Sequence, residues 1–170
     1  MEEYDLRDIS YERMDQGYET QWALMDDLFA WLDLQLYFFY KHHQWLGPKN
    51  DMRNMMGLVV SREEFEHNLA KAAQLGLSAQ LTNGEAGQLE ASRRAILARL
   101  KRTEGDFPLL LLFKRCGLDE FEAACVALTY AGVLDQKYEK LFAYLQDDIT
   151  RKVPSTALAV QLFLPPGSTM

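Results

Sequence analysis

The sequence predicts a mainly α-helical fold, and three observations carry that expectation. Apolar residues recur three and four positions apart over several long stretches. Ser, Thr or Asp stands three positions ahead of Glu where such stretches begin, the pattern of a capping box. Runs with the two-residue period of a half-buried strand are short and few. The 170 residues suit one domain or two small ones, and 48% hydrophobic and 25% charged residues with five prolines belong to an ordinary globular chain with a real core.

The first element spans residues 22–45, with Trp22, Met25, Phe29, Leu32, Leu36 and Phe39 on one stripe. Leu24, Leu28, Trp31, Leu34, Tyr37 and Phe38 form a second apolar stripe, so this helix either runs through the core or covers its other side with a partner. Gly47 and Pro48 stop it, and a Met-rich connector follows over residues 52–56. Ser61 with Glu64 starts a second helix, stapled by Val60 and Phe65 and ending at Gly76. Thr82 with Glu85 starts a third, carrying Leu89, Ile96, Leu97 and Leu100, with its acids early and its bases late as the macrodipole favours.

Beyond Gly105, Pro108 opens a short apolar run that stops at Cys116-Gly117. Asp119 with Glu122 caps a helix bearing Leu118, Phe121, Cys125 and Leu128 and reaching Gly132. Asp135 caps the next, whose Tyr138, Leu141, Phe142, Leu145 and Ile149 share one side. Pro154 resets the chain before a last short helix with Leu158, Leu162 and Phe163, and Pro165-Pro166-Gly167 reads as a linker. A few short strands fit at residues 58–60, 80–82 and 149–153. The expected division is an acidic, solvated arm over residues 1–20, a helical region over 21–104, a second region over 105–164, and a tail over 165–170.

A net charge of −7 disfavours phosphate backbones and anionic membrane surfaces as partners. The acid is densest at the start, where nine carboxylates up to Asp27 face only Arg7 and Arg13. No apolar run approaches the length of a membrane span, and the acidic opening lacks the pattern of a secretory signal, so a cytoplasmic location is expected. Cys116 and Cys125 have no metal-ligand spacing and read as small buried hydrophobes.

Signals for chemistry are weak throughout. There is no phosphate-binding Gly-x-x-x-x-Gly-Lys-Ser/Thr loop and no Gly-x-Ser-x-Gly elbow. Glu64 and His67 have a spacing used in di-metal bundles, but no second Glu-x-x-His matches them. The adjacent His42 and His43 point in different directions on a helix. No catalytic, metal or cofactor residue is therefore expected, and the chain reads as a non-enzyme. The bases from Arg93 to Arg102, with Lys114, Arg115, Arg151 and Lys152, are read as a solvated face, with protein and phosphate contact as the other readings.

The residues Phe113-Lys114-Arg115-Cys116-Gly117-Leu118-Asp119-Glu120-Phe121-Glu122, followed by Leu134-Asp135-Gln136-Lys137-Tyr138-Glu139 and by Tyr144-Leu145-Gln146-Asp147-Asp148-Ile149-Thr150-Arg151, resemble a region upstream of the motor in bacterial AAA-family ATPases. The likeness is specific over residues 107–163 and loose over 58–65. This chain departs from the pattern in Gly117, between Cys116 and Leu118, and in the cysteine of an otherwise aliphatic helix. The resemblance implies a winged-helix-like C-terminal half, a hexameric ATPase on a following module and, in some members, association with contractile injection systems.

The expected function is then a regulatory or partner-recruiting domain that binds protein through its aromatic first helix. The expected contacts are Trp31, Leu34 and Phe38 for partners or self-association, and Gln146, Asp147, Asp148 and Arg151 toward a motor module or neighbouring subunit. The alternative is a winged-helix DNA-binding regulator using residues 155–163 or the bases from Arg93 to Arg102.

Overall fold

A computed structural model describes residues 14–43, 81–146 and 148–164. Six helices lie among them: α1 (Gln21–His43), α2 (Asn83–Lys101), α3 (Pro108–Cys116), α4 (Glu120–Leu134), α5 (Gln136–Leu145) and α6 (Thr156–Phe163). No strand occurs among the described residues. The helix expected from Ser61 to Gly76, its Glu64 and His67, the Met-rich connector and the strand at 58–60 all lie outside them.

Local chemistry sets most helix ends. Thr82 and Glu85 form the expected capping box on α2, as do Asp119 and Glu122 on α4. Asp135 closes α4 and caps α5, accepting the Lys137 amide at 2.9 Å, and Ser155 accepts the Leu158 amide at 3.2 Å to start α6. Phe107 has no side chain to cap α3, so Pro108 occupies a position where no donor is needed and Gln21 of α1 accepts the Leu109 amide at 3.2 Å. Gly117, at φ 62°, ends α3 in the left-handed conformation and lets the Leu118 amide reach the Phe113 carbonyl at 3.1 Å.

Helix α1 is the centre of the packing. Leu32, Leu34, Leu36, Phe38 and Phe39 share one buried cluster with Leu89 of α2, Leu128 and Ala131 of α4, Tyr138 and Phe142 of α5, and Leu158 and Leu162 of α6. A second cluster joins Leu24 and Met25 to Tyr18 and to Leu109 of α3. The main core therefore draws residues from both sides of position 104.

Polar links fix how the helices slide along α1. Near its start, Arg99 of α2 reaches Asp27 at 2.7 Å, with only 7% and 15% of the two side chains exposed. The Tyr18 hydroxyl donates to the same Asp27 oxygen at 2.9 Å, and the Arg99 guanidinium lies 4.0 Å over the Tyr18 ring. Burial, reinforced by Asp27, pushes the Tyr18 phenol well above its ordinary range. At mid-helix, Asp33 accepts from Lys137 Nζ at 3.0 Å and from the Tyr138 hydroxyl at 2.8 Å, which anchors α5. At the C-terminal end, Lys41 and His42 meet Glu85 of α2 at 2.6 and 2.9 Å. Helices α1 and α2 thus run antiparallel.

Four expectations change here. The end of the acidic arm is not solvated: Tyr18 is buried and its amide donates to Thr103 at 2.9 Å. Gly17 lies so close to the backbone of Arg102 and Thr103 that a Cβ would sit 2.4 Å from the Arg102 carbonyl oxygen. Residues 149–153 form turns rather than a strand, because Asp148 accepts both the amide and the hydroxyl of Thr150 and curls the chain. Helix α5 stops at Leu145, so Ile149 is 89% exposed instead of joining Tyr138, and Leu141 faces out as well. Cys116, in the last turn of α3 beside the Gly117 stop, is exposed, and Cys125 is half-buried.

Two predictions follow from the links on α1. Asp27→Ala strands the Arg99 guanidinium beside the Tyr18 ring and lowers stability by about 3 kcal/mol, read by urea unfolding; a loss under about 1 kcal/mol would mean the pair is screened. Glu85 is held well below the usual carboxylate range, chiefly by its bond to Lys41, then by the Thr82 amide and by His42. Its contribution is complete above the ordinary value of 4.5 and fades as pH falls toward the lowered folded value. Glu85→Gln is accordingly less stable than the parent chain at pH 7, with a gap that closes in thermal melts at acid pH.

Candidate interaction surface

The residues expected to meet partners on α1 are largely consumed by the fold. Leu34 and Phe38 are 5% and 4% exposed inside the main cluster, and Trp31 stacks on Phe163 of α6 with centroids 5.4 Å apart. The core takes Leu24, Leu34 and Phe38 of the second stripe, while Tyr37 stays exposed.

The group at the end of α5 is also engaged internally. Gln146 Nε2 donates to the carbonyls of Phe142, Arg151 and Val153 at 3.1, 3.4 and 3.0 Å, while its Oε1 accepts the Ser155 amide at 2.9 Å. One amide side chain thereby closes α5, folds the turn after it and sets the start of α6. Asp148 is held below its ordinary range chiefly by the Thr150 hydroxyl and pairs with Arg151 at 3.2 Å. Asp147 and the side chain of His43 lie outside the described residues.

Among the described residues, several of the basic side chains have carboxylate partners. Arg93 binds Glu90 at 2.8 Å and also Glu120, tying α2 to α4, and Arg94 binds Glu90 at 2.9 Å. Arg99 is buried on Asp27, and Lys152 lies 3.6 Å from Glu139. Arg102 donates to the Ala98 carbonyl at 3.0 Å. Lys101, Lys114 and Arg115 are exposed and have no ion-pair partner among the described residues. Helix α6, the alternative reading head, contains no Lys or Arg and buries Leu158, Ala159 and Leu162.

Two exposed apolar surfaces were not foreseen. Tyr40 of α1 and Tyr144 of α5 meet with centroids 5.6 Å apart, and Tyr37 stands one turn before Tyr40. On α4, Cys125, Val126, Thr129, Tyr130 and Val133 line a shallow apolar groove open to solvent. The α4 face had a sequence signal, because residues 123–134 contain no charge in a chain that is one-quarter charged. A buried helix gives the same signal, so only the packing separates them.

Among the described residues no group of His, Cys, Asp and Glu could hold a metal ion. No described helix is long and apolar enough to cross a membrane.

Replacing Gln146 with Ala removes four hydrogen bonds from one turn. Stability falls by about 1–2 kcal/mol, and the Ser155 amide exchanges its hydrogen faster than in the parent chain while the amides of α2 do not change. Unaltered protection at Ser155 would overturn the assignment of Gln146 as the clamp.

Comparison with known proteins agrees with the helical core. The family model described as winged helix domain, variant, matches residues 9–169, nearly the whole chain. No curated protein and no solved structure matches.

Proposed function

Because the chain belongs to the variant winged-helix family, we propose that it is a non-catalytic recruiting or regulatory domain of a AAA-family ATPase that contacts proteins rather than nucleic acid. The observation that carries the choice of partner is the state of the cations: Arg93, Arg94, Arg99, Arg151 and Lys152 already face carboxylates. Drawing them to phosphate would first break those pairs, one of which is buried. The net charge of −7 adds a repulsive field.

The AAA assignment rests on the resemblance of residues 107–163 to the segment upstream of such motors. In that setting α1 is a scaffold for the outer helices rather than the contact itself. The DNA-binding alternative rests on the exposed Lys101, Lys114 and Arg115, three cations that no described acid neutralises.

Fluorescence anisotropy with a mixed-sequence DNA duplex, titrated at low and at physiological salt, separates the two. The expected result is no saturable binding in the micromolar range at either salt. Tight binding at low salt that collapses as salt rises, with a slope of several ions per complex, would overturn the proposal. The motor link is read separately, as the ATPase rate of a AAA module encoded with this chain: the rate changes when the domain is added or removed.

A further inference from the structure

Helix α4 has its bulk on the outside. Its buried side consists of Ala124, Ala127, Leu128 and Ala131, whereas Thr129, Tyr130 and Val133 are exposed, Val133 at 77%, and the half-buried Cys125 and Val126 line the same groove beside them. At about 100° per residue these outward positions fall on one continuous stripe. Cys125 and Val126 touch the edges of the two core clusters, whereas Thr129, Tyr130 and Val133 are exposed and belong to neither.

The charges around the stripe are all of one sign on its own helix. From Glu120 to Leu134 there is no Lys, Arg or His. Asp119 and Glu122 stand at one end, and Asp135 stands at the other; all three are exposed. Arg93 is drawn to Glu90 and Glu120, and Lys137 to Asp33, so neither answers these three acids. The Cys125 thiol on the stripe is pushed up by burial first, with Asp119 and Glu122 adding to it, which places their field on the groove itself.

We propose that the outer stripe of α4 docks an amphipathic helix of a partner protein, one with an uncharged apolar seam flanked at both ends by Lys or Arg. The acids lie 16 residues apart, so the partner's basic ends are spaced by roughly 24 Å at 1.5 Å per residue. A helix laid along an apolar groove uses anchors three and four apart, which matches Val126, Thr129, Tyr130 and Val133. A second copy of this chain fits poorly: antiparallel pairing sets Asp119 and Glu122 against Asp135, and parallel pairing sets each acid against itself. Like charges face in both registers. The inference rests on the protein-contact reading and names the kind of partner that reading lacks.

The test uses the full chain and two fluorescent 18-residue helical peptides with the same Leu/Ala seam, one ending in Lys pairs and one in Glu pairs. The basic peptide binds at least about tenfold more tightly than the acidic one. Val133→Lys places a cation in the stripe without touching the core and weakens binding by about tenfold; Thr129→Lys replaces it if the first variant melts early. Glu122→Gln keeps the capping bond that a glutamine also makes, yet weakens binding severalfold and flattens its salt dependence.

Equal affinity for the two peptides, no binding of either, or binding unaffected by both lysine variants would overturn the proposal. So would a parent chain that sediments as a dimer and becomes monomeric on Val133→Lys, because the stripe would then be a self-contact. None of these results bears on the DNA titration, so the broader protein-contact reading stands or falls independently.

Discussion

The need to bury the apolar stripes of α1 governs this molecule. A 23-residue helix with Leu, Phe, Trp and Met around most of its circumference is stable in water only when other elements surround it. Helices α2, α4, α5 and α6 do so along its length, while Tyr18 and α3 close one end. Hydrophobic burial is non-directional, so by itself it leaves the axial position of each neighbour weakly determined. The three carboxylate links supply what burial lacks. Asp27 to Arg99 and Glu85 to Lys41 and His42 pin α2 at two points, and Asp33 holds α5 through Lys137 and Tyr138.

These links have unequal weight. The Asp27–Arg99 pair is shielded from solvent and shares its carboxylate with a buried phenol, so loss of either member leaves a charge without water. Lys41 is half-exposed, and its link to Glu85 is the kind that side-chain entropy and salt erode. Glu85 compensates by also accepting the Thr82 amide and hydroxyl, both at 2.9 Å. One carboxylate thereby starts α2 and attaches it to α1.

Features with local causes were legible in the sequence, and features with distant causes were not. The boxes at Thr82 and Asp119, the cap at Asp135 and the stop at Gly117 each depend on residues within a few positions, and each stands where the spacing placed it. Ile149 was misplaced because apolar periodicity runs past the point where Gln146 ends α5, and nothing in the spacing reveals a clamp that reaches Arg151, Val153 and Ser155. The close approach of Gly17 to Arg102 spans half the chain and leaves no pattern in either segment. The two stripes of α1 were read correctly as apolar. Which of them the core would take required the partners: Trp31 meets Phe163, and Leu34 and Phe38 enter the same cluster as Leu89 and Leu158.

The same logic separates α1 from α4 as a place for partners. Both are apolar on two sides, yet α1 is enclosed by long side chains from four helices, whereas α4 turns alanines inward. Small residues let helix axes approach closely, and they make the inner face of α4 complete without help from Val133 or Tyr130. Close fit continues at its end, where a Cβ on Gly132 would lie 3.1 Å from the Phe142 ring. A polar outer face would satisfy such a helix and improve its solubility. The retained Tyr130 and Val133 therefore answer to something outside the core, and the acids at both ends of the stripe restrict what that something can be.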